Sequence, residues 1–241
     1  MEDRNTFKPL TARSAVLSAL LGSHPPRLAA RHLVRIGELF GIAEGTVRVA
    51  LSRMVAAGDL LQEDGRYTLT VRLAERQKRQ DESRSPHTMR WDGTWDMAVV
   101  TAERRAPADR AALRQAMTEL RLGELREGTW MRPANLLIDW PDPVTEQCTL
   151  IEARPHDDPT PLLWDLDGWA AEARRLEKAL GQASGLTEGF LVNAAVLRHL
   201  LADPLLPPEL LPYGWPGAEL RARYEEFDAS YRAVLLKHLT D

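Results

Sequence analysis

Hydrophobic positions fall at helical spacing three times before residue 60, then switch to strand-like runs. Val16, Leu17, Leu20 and Leu21 mark a first helix that Thr11 can cap, and Gly22–Pro26 ends it. Leu33, Ile36, Leu39 and Phe40 mark a second helix over about residues 31–40, closed by Gly41. Val47, Leu51, Met54 and Val55 lie at i, i+4, i+7 and i+8 on a third, which starts near Gly45. Gly58 suits the left-handed position after its end. Leu60 and Leu61 then lead into Asp64-Gly65 and Arg66–Thr70, and an Asp-Gly pair between β-type runs is a strong hairpin signal. The outer face of the third helix carries Thr46, Arg48, Ser52 and Arg53, with Arg66 at the hairpin tip. Three helices and a hairpin in this order have the layout of a winged helix-turn-helix. In that layout the helix enters the DNA major groove and the wing touches backbone.

The pattern changes after residue 70. Residues 71–84 (VRLAERQKRQDESR) are polar nearly all round, which predicts a solvent-exposed connecting helix within a 71–90 linker. Trp95, Met97 and Val99 alternate with their neighbours as a strand does, and Pro107 then stands at the favoured first position of a helix lined by Leu113, Met117 and Leu120. Gly123 and Gly128 flank further strand material, and CTLIEAR (148–154) is another strand. This order suggests a small ferredoxin-like sandwich. Helices follow over about 167–180 and 187–202. A proline-rich corner leads to a last helix with Leu220, Tyr224, Phe227, Tyr231, Val234, Leu235 and His238 on one stripe, suited to a core or a dimer interface. The expected fold is α+β: a winged helix-turn-helix over 10–70, a middle ferredoxin-like domain over 91–160 and a C-terminal helical domain over 161–241.

Charge sharpens this division. The chain of 241 residues has a net charge of −4. Residues 1–84 hold 14 Lys+Arg against 10 Asp+Glu, so an acidic body follows a basic N-terminal part, as DNA contact at one end requires. The single cysteine, Cys148, has no partner for an internal disulfide, and no apolar run has the length of a membrane span, so a cytoplasmic location is expected. No Cys/His cluster has zinc spacing, and no phosphate loop or nucleophile elbow is present, so no cofactor, metal or catalytic residue is assigned. His156-Asp157-Asp158, between two prolines, reads as a surface loop.

Three blocks carry a resemblance: GIAEGTVRVALSRMVAAGDL, then WDGTW with LREGTWMRPANL, then DPLLPPELLPYGWPG. In this order and at about this spacing they resemble the PaaX-like transcriptional repressors, named for the regulator of phenylacetic acid catabolism. The resemblance spans nearly the whole chain. It implies a cytoplasmic homodimer on a double-stranded DNA operator, released by a small effector, an acyl-CoA such as the aryl thioester phenylacetyl-CoA. The polar connecting helix and the Ala/Leu-rich C-terminal segment depart from the family pattern, so the effector need not be the namesake's.

On this reading Arg48 is placed to pair with a guanine edge, Ser52 reaches a base edge or phosphate, Thr46 contacts phosphate near the helix start, and Arg53 and Arg66 hold phosphate. Seven tryptophans lie beyond residue 90, and most are expected to pack cores. Trp130, with Arg132 and Arg154 at strand ends, is a candidate for an effector pocket. Two rivals stand beside the regulator: a DNA-binding scaffold without effector, and a metal-dependent nuclease built on the ferredoxin-like domain. The nuclease needs a carboxylate at the end of its first strand. Asp96 stands at the beginning instead and Glu103 just past the end, so no nuclease activity is expected.

Overall fold

The computed structural model describes residues 10–240, without the side chains of 235, 236 and 238–240. In chain order its elements are α1 (Ala12–Leu21), β1 (Arg27–Ala29), α2 (Ala30–Leu39), α3 (Glu44–Ala56), β2 (Leu60–Glu63), β3 (Arg66–Leu69), α4 (Val71–Arg84), β4 (Trp95–Val100), α5 (Pro107–Glu119), β5 (Gly123–Arg126), β6 (Thr129–Pro133), α6 (Asp142–Thr145), β7 (Cys148–Ala153), α7 (Thr160–Leu163), α8 (Leu166–Gln182), α9 (Leu186–Leu201) and α10 (Gly217–Thr240). They divide into two compact units. The first comprises the chain up to Ser85, Ala173–Leu201 and the segment from Ala218. The second comprises Pro86–Glu172 and Ala202–Gly217. The fold is mixed α+β, and among the described residues no helix is long and apolar enough to cross a membrane.

In the first unit Thr11 caps α1 as expected, its side chain accepting from the Ser14 amide at 3.1 Å. The buried faces of α1, α2 and α3 meet in one core that includes Leu20, Leu33, Ile36, Val47, Leu51 and Met54. Gly37 sets how closely α2 and α3 approach, because a Cβ there would stand 2.4 Å from a Val47 methyl. Asp64 and Gly65 both take positive φ, +48° and +71°, the type I′ geometry that joins β2 to β3. β1, too short to stand out in the apolar pattern, pairs with β3 to give the order β1-β3-β2.

The connecting helix differs from its expectation. α4 belongs to the first unit and buries Leu73, Gln77, Gln80 and Ser83. Its polar side chains are buried because they have partners. The Gln77 amide donates to Leu21 O at 2.6 Å and Ser23 O at 3.1 Å. Arg84 meets Glu225 at 2.7 Å and Asp228 at 3.1 Å, and lies over the Tyr224 ring. The expected separate helical domain at 161–241 is likewise divided between the units. Tyr231 of α10 and Phe190 of α9 form a ring cluster with Phe40, at 5.0–6.3 Å between centroids. Leu220, Tyr224 and Tyr231 are therefore spent inside the chain, while Val234 is 44% exposed. The Leu235 and His238 side chains of that stripe lie outside the described residues.

Asp59 ties this unit together. Its buried carboxylate receives Arg13 of α1 at 2.8 Å and Arg72 of α4, and its carbonyl accepts from Thr70. The Arg13 hydrogen bond is the leading cause that holds its carboxyl below the usual range. Asp59→Asn should lower stability by about 1.5–3 kcal/mol, the range for hydrogen bonds to charged groups. Because the folded-state value is depressed, this stabilisation is present above the unfolded carboxyl value, near pH 4, and fades as pH falls through the folded one. Denaturant midpoints of both proteins at pH 7 and pH 3 check it: the gap should narrow at the lower pH.

The second unit is a four-stranded antiparallel sheet in the order β5-β6-β4-β7. Counted along the chain this is 2-3-1-4, the order of a split β-α-β layer. α5 begins at Pro107 as expected and buries Leu113, Ala116 and Met117 in a core with Ala98, Trp130 and Val144. All seven tryptophans belong to this unit. Trp169 stacks on Trp215 at 4.5 Å, and Trp95 contacts Trp91 and Trp164.

Candidate nucleic-acid interface

α3 turns Val47, Leu51 and Met54 inward, and that leaves Thr46, Arg48, Val49, Ser52 and Arg53 on its exposed side. Arg48, 61% exposed, is held by Glu44 one turn back, with Nε and Nη2 each 2.7 Å from Oε1. The Ser52 hydroxyl donates to Arg48 O at 3.1 Å, a bond along its own helix. Thr46 and Arg53 line a shallow concavity of about 600 Å³ with Thr11 and Val49. Val49, half exposed on this face, escaped the sequence reading because an isolated valine on a polar face carries no signal.

The hairpin tip stands beside the start of α2, where the Ala30 amide donates to Gly65 O at 3.0 Å. This brings Arg66 to Arg31, His32 and Arg35. The His32 imidazole is held below its ordinary value by burial first, then by the charges of Arg31, Arg35 and Arg66. The Arg31 Nε donates to His32 Nε2 at 3.4 Å, with that nitrogen as the acceptor of a neutral ring. Arg31, His32 and Arg35 were missed from sequence. The available signal was two arginines four apart on the exposed side of a predicted helix.

The three effector candidates do not converge. Arg132 is fully buried, and its guanidinium donates to Pro133 O at 3.0 Å, Leu120 O at 2.9 Å and Asn135 Oδ1 at 3.0 Å. Burial pushes it down to about 10. This arginine is a strut rather than a hand for a ligand. Trp130 packs in the core with the Arg114 guanidinium 5.3 Å from its ring centre. Arg154 points outward and pairs with Asp92 at 2.8 Å. In the His156–Asp158 loop, Asp158 accepts from the Thr160 amide at the start of α7. Among the described residues no three His, Cys, Asp or Glu side chains group as metal ligands. Asp96 lies beside Arg132 and Glu152 in register, and burial raises its carboxyl.

Three family models match the chain in succession: PaaX-like protein over residues 11–76, PaaX protein central Cas2-like domain over 88–152, and PaaX-like protein C-terminal domain over 164–241. The chain belongs to the PaaX-like family. Among solved structures it is similar to the uncharacterized protein Rv0674 from Mycobacterium tuberculosis, with 46% identity over 95% of this chain and 97% of that chain and a TM-score of 0.80. No curated protein matches it. The LREGTWMRPANL block meets the proline-rich corner through the buried Asn135 amide, which donates to Leu205 O at 2.9 Å. Arg121, just before that block, donates to Asp203 O, and within the corner the Asp203 carboxylate accepts from the Leu205 amide.

Proposed function

We propose that this PaaX-like protein is a DNA-binding transcriptional repressor, released from its operator by a small effector. The observation that carries the reading is the pairing of the exposed face of α3 with a basic corner, where Arg66 stands beside Arg31, His32 and Arg35. Helix, strand, two helices and a hairpin, with sheet order β1-β3-β2, make a winged helix-turn-helix whose α3 is the recognition helix. The split sheet of the second unit is its ferredoxin-like layer. One such surface covers too little DNA for gene-level specificity, so the active species is a two-fold homodimer on an inverted repeat. The location is the cytoplasm. The effector is of the acyl-CoA class, with phenylacetyl-CoA as the family's example.

Capture of genomic fragments in Mg²⁺ buffer, followed by sequencing, tests this. The expected result is intact fragments sharing an inverted repeat, and a dimer mass by light scattering at micromolar protein. Fragments no more enriched than random DNA overturn the DNA-binding reading. A monomer mass with and without DNA overturns the dimer. Cleaved fragments, with cleavage lost in Asp96→Ala or Glu103→Ala, favour the nuclease.

A further inference from the structure

The first unit encloses a cavity of about 660 Å³ that lies among α1, the 22–25 turn, α4, α9 and α10. This volume is inside the roughly 300–1,000 Å³ range of small-molecule sites. One face of α9 gives it a polarity. Phe190, Asn193, Ala194, Leu197 and Arg198 all line it, at positions i, i+3, i+4, i+7 and i+8. From Phe190 to Arg198 the helix rises about 12 Å, at 1.5 Å per residue. The Phe190 end is apolar and aromatic, with Tyr231 at 5.5 Å and Leu17 on the same lining.

The other end is cationic. Arg76 of α4 and Arg198 of α9 line it, and neither has a hydrogen bond or an acidic partner among the described residues. Of the other four arginines on the lining, Arg27 belongs to β1 and the remaining three differ in having acidic partners. Arg13 is tied to Asp59, and Arg84 and Arg232 to Asp228. Burial, then the charges of Arg13, Arg79, Arg198 and Arg72, pull Arg76 below its usual value. An anion would relieve this crowding. Also on the lining, the buried Asn193 Oδ1 and Tyr231 Oη lack a hydrogen-bond partner among the described residues. Unmatched cations beside a half-apolar hollow suit a ligand that brings charge at one end and hydrocarbon at the other.

We propose that this cavity is the effector site and binds an amphipathic organic anion, with its aryl or alkyl end against Phe190, Tyr231 and Leu17 and its carboxylate or phosphate between Arg76 and Arg198. As an effector site it rests on the regulator reading above. α1 forms one wall of the cavity and also packs against α3, so an occupant sits one helix from the DNA-facing surface.

Calorimetry on the full chain with 6-phenylhexanoate, 6-phenylhexyl phosphate and 6-phenylhexan-1-ol tests the site without DNA. The two acids should saturate at one per chain and bind about tenfold or more tighter than the alcohol, as a charge-assisted pair predicts. The stronger of the two identifies the head group. Arg76→Gln with Arg198→Gln should abolish the preference over the alcohol, and Ala194→Trp, which fills the space, should abolish all binding. Should that variant not fold, Ser18→Trp on the opposite wall takes its place. Failure of both acids to saturate, or affinities unchanged in these variants, overturns the site. Saturable binding that leaves operator affinity unchanged overturns its role as effector site and leaves the DNA-binding reading standing.

Discussion

Arg132→Leu will destabilise the second unit by about 3–5 kcal/mol, the cost of removing one partner from a buried charged network. Leucine keeps part of the volume, so the loss is chiefly of donors. Leu120 O, Pro133 O and Asn135 Oδ1 would each be left buried without the N–H they now accept, at about 1–3 kcal/mol per orphan before relaxation. The damage spreads because Asn135 also holds Leu205 in the proline-rich corner. Since all seven tryptophans lie in this unit, their emission follows its unfolding specifically. The midpoint read by tryptophan should fall by several degrees or more for Arg132→Leu. Arg114→Ala, which removes the pair with Glu124 and the guanidinium over Trp130, should cost about 2 kcal/mol or less. Equal, small shifts for the two variants would mean that the buried guanidinium is dispensable.

The sequence was most legible where local chemistry decides the conformation. Thr11, Pro107, Gly58 and Asp64-Gly65 each announce a cap, a helix start or a turn through their own backbone preferences, and each stands there. Apolar periodicity located the long helices to within a residue or two. What it could not see depends on partners far along the chain. α4 looks solvated because Gln77 and Arg84 are polar, yet they are turned into the unit and matched by carbonyls and by carboxylates as distant as Glu225. The same blindness misplaced the effector candidates. A strand-end arginine such as Arg132 reads as available, whereas its donors are consumed by groups that sequence spacing does not bring to it. The cavity on α9 was hidden for a related reason: Phe190 and Arg198 look like an ordinary amphipathic helix until α1 and α4 stand opposite. The buried stripe of α3 was legible, because Val47, Leu51 and Met54 repeat at helical spacing, and its exposed complement follows by subtraction.

That complement leads to a separation of two kinds of contact. Arg48 should read a base, while Arg66 should hold backbone. Losing a bidentate base contact costs about 1–3 kcal/mol and relaxes specificity at one position. Losing a phosphate contact weakens all sequences about equally and lowers the salt slope by about 1. Arg48→Ala should therefore shrink the ratio of operator to scrambled-DNA affinity. Arg66→Ala should leave that ratio nearly unchanged and flatten the salt dependence. The Glu44 clamp adds a third arm. Arg48 must leave Glu44 to reach a base, and Glu44 itself is a negative charge at the start of the same helix. Glu44→Gln should tighten binding to both DNAs, and the gain should shrink at high salt as the phosphate field is screened. A salt titration of the three variants on operator and scrambled duplexes decides between the outcomes. If Arg66→Ala loses specificity and Arg48→Ala does not, helix and wing have exchanged roles. If none of the three alters binding, the α3 face and its hairpin are not where this protein meets DNA.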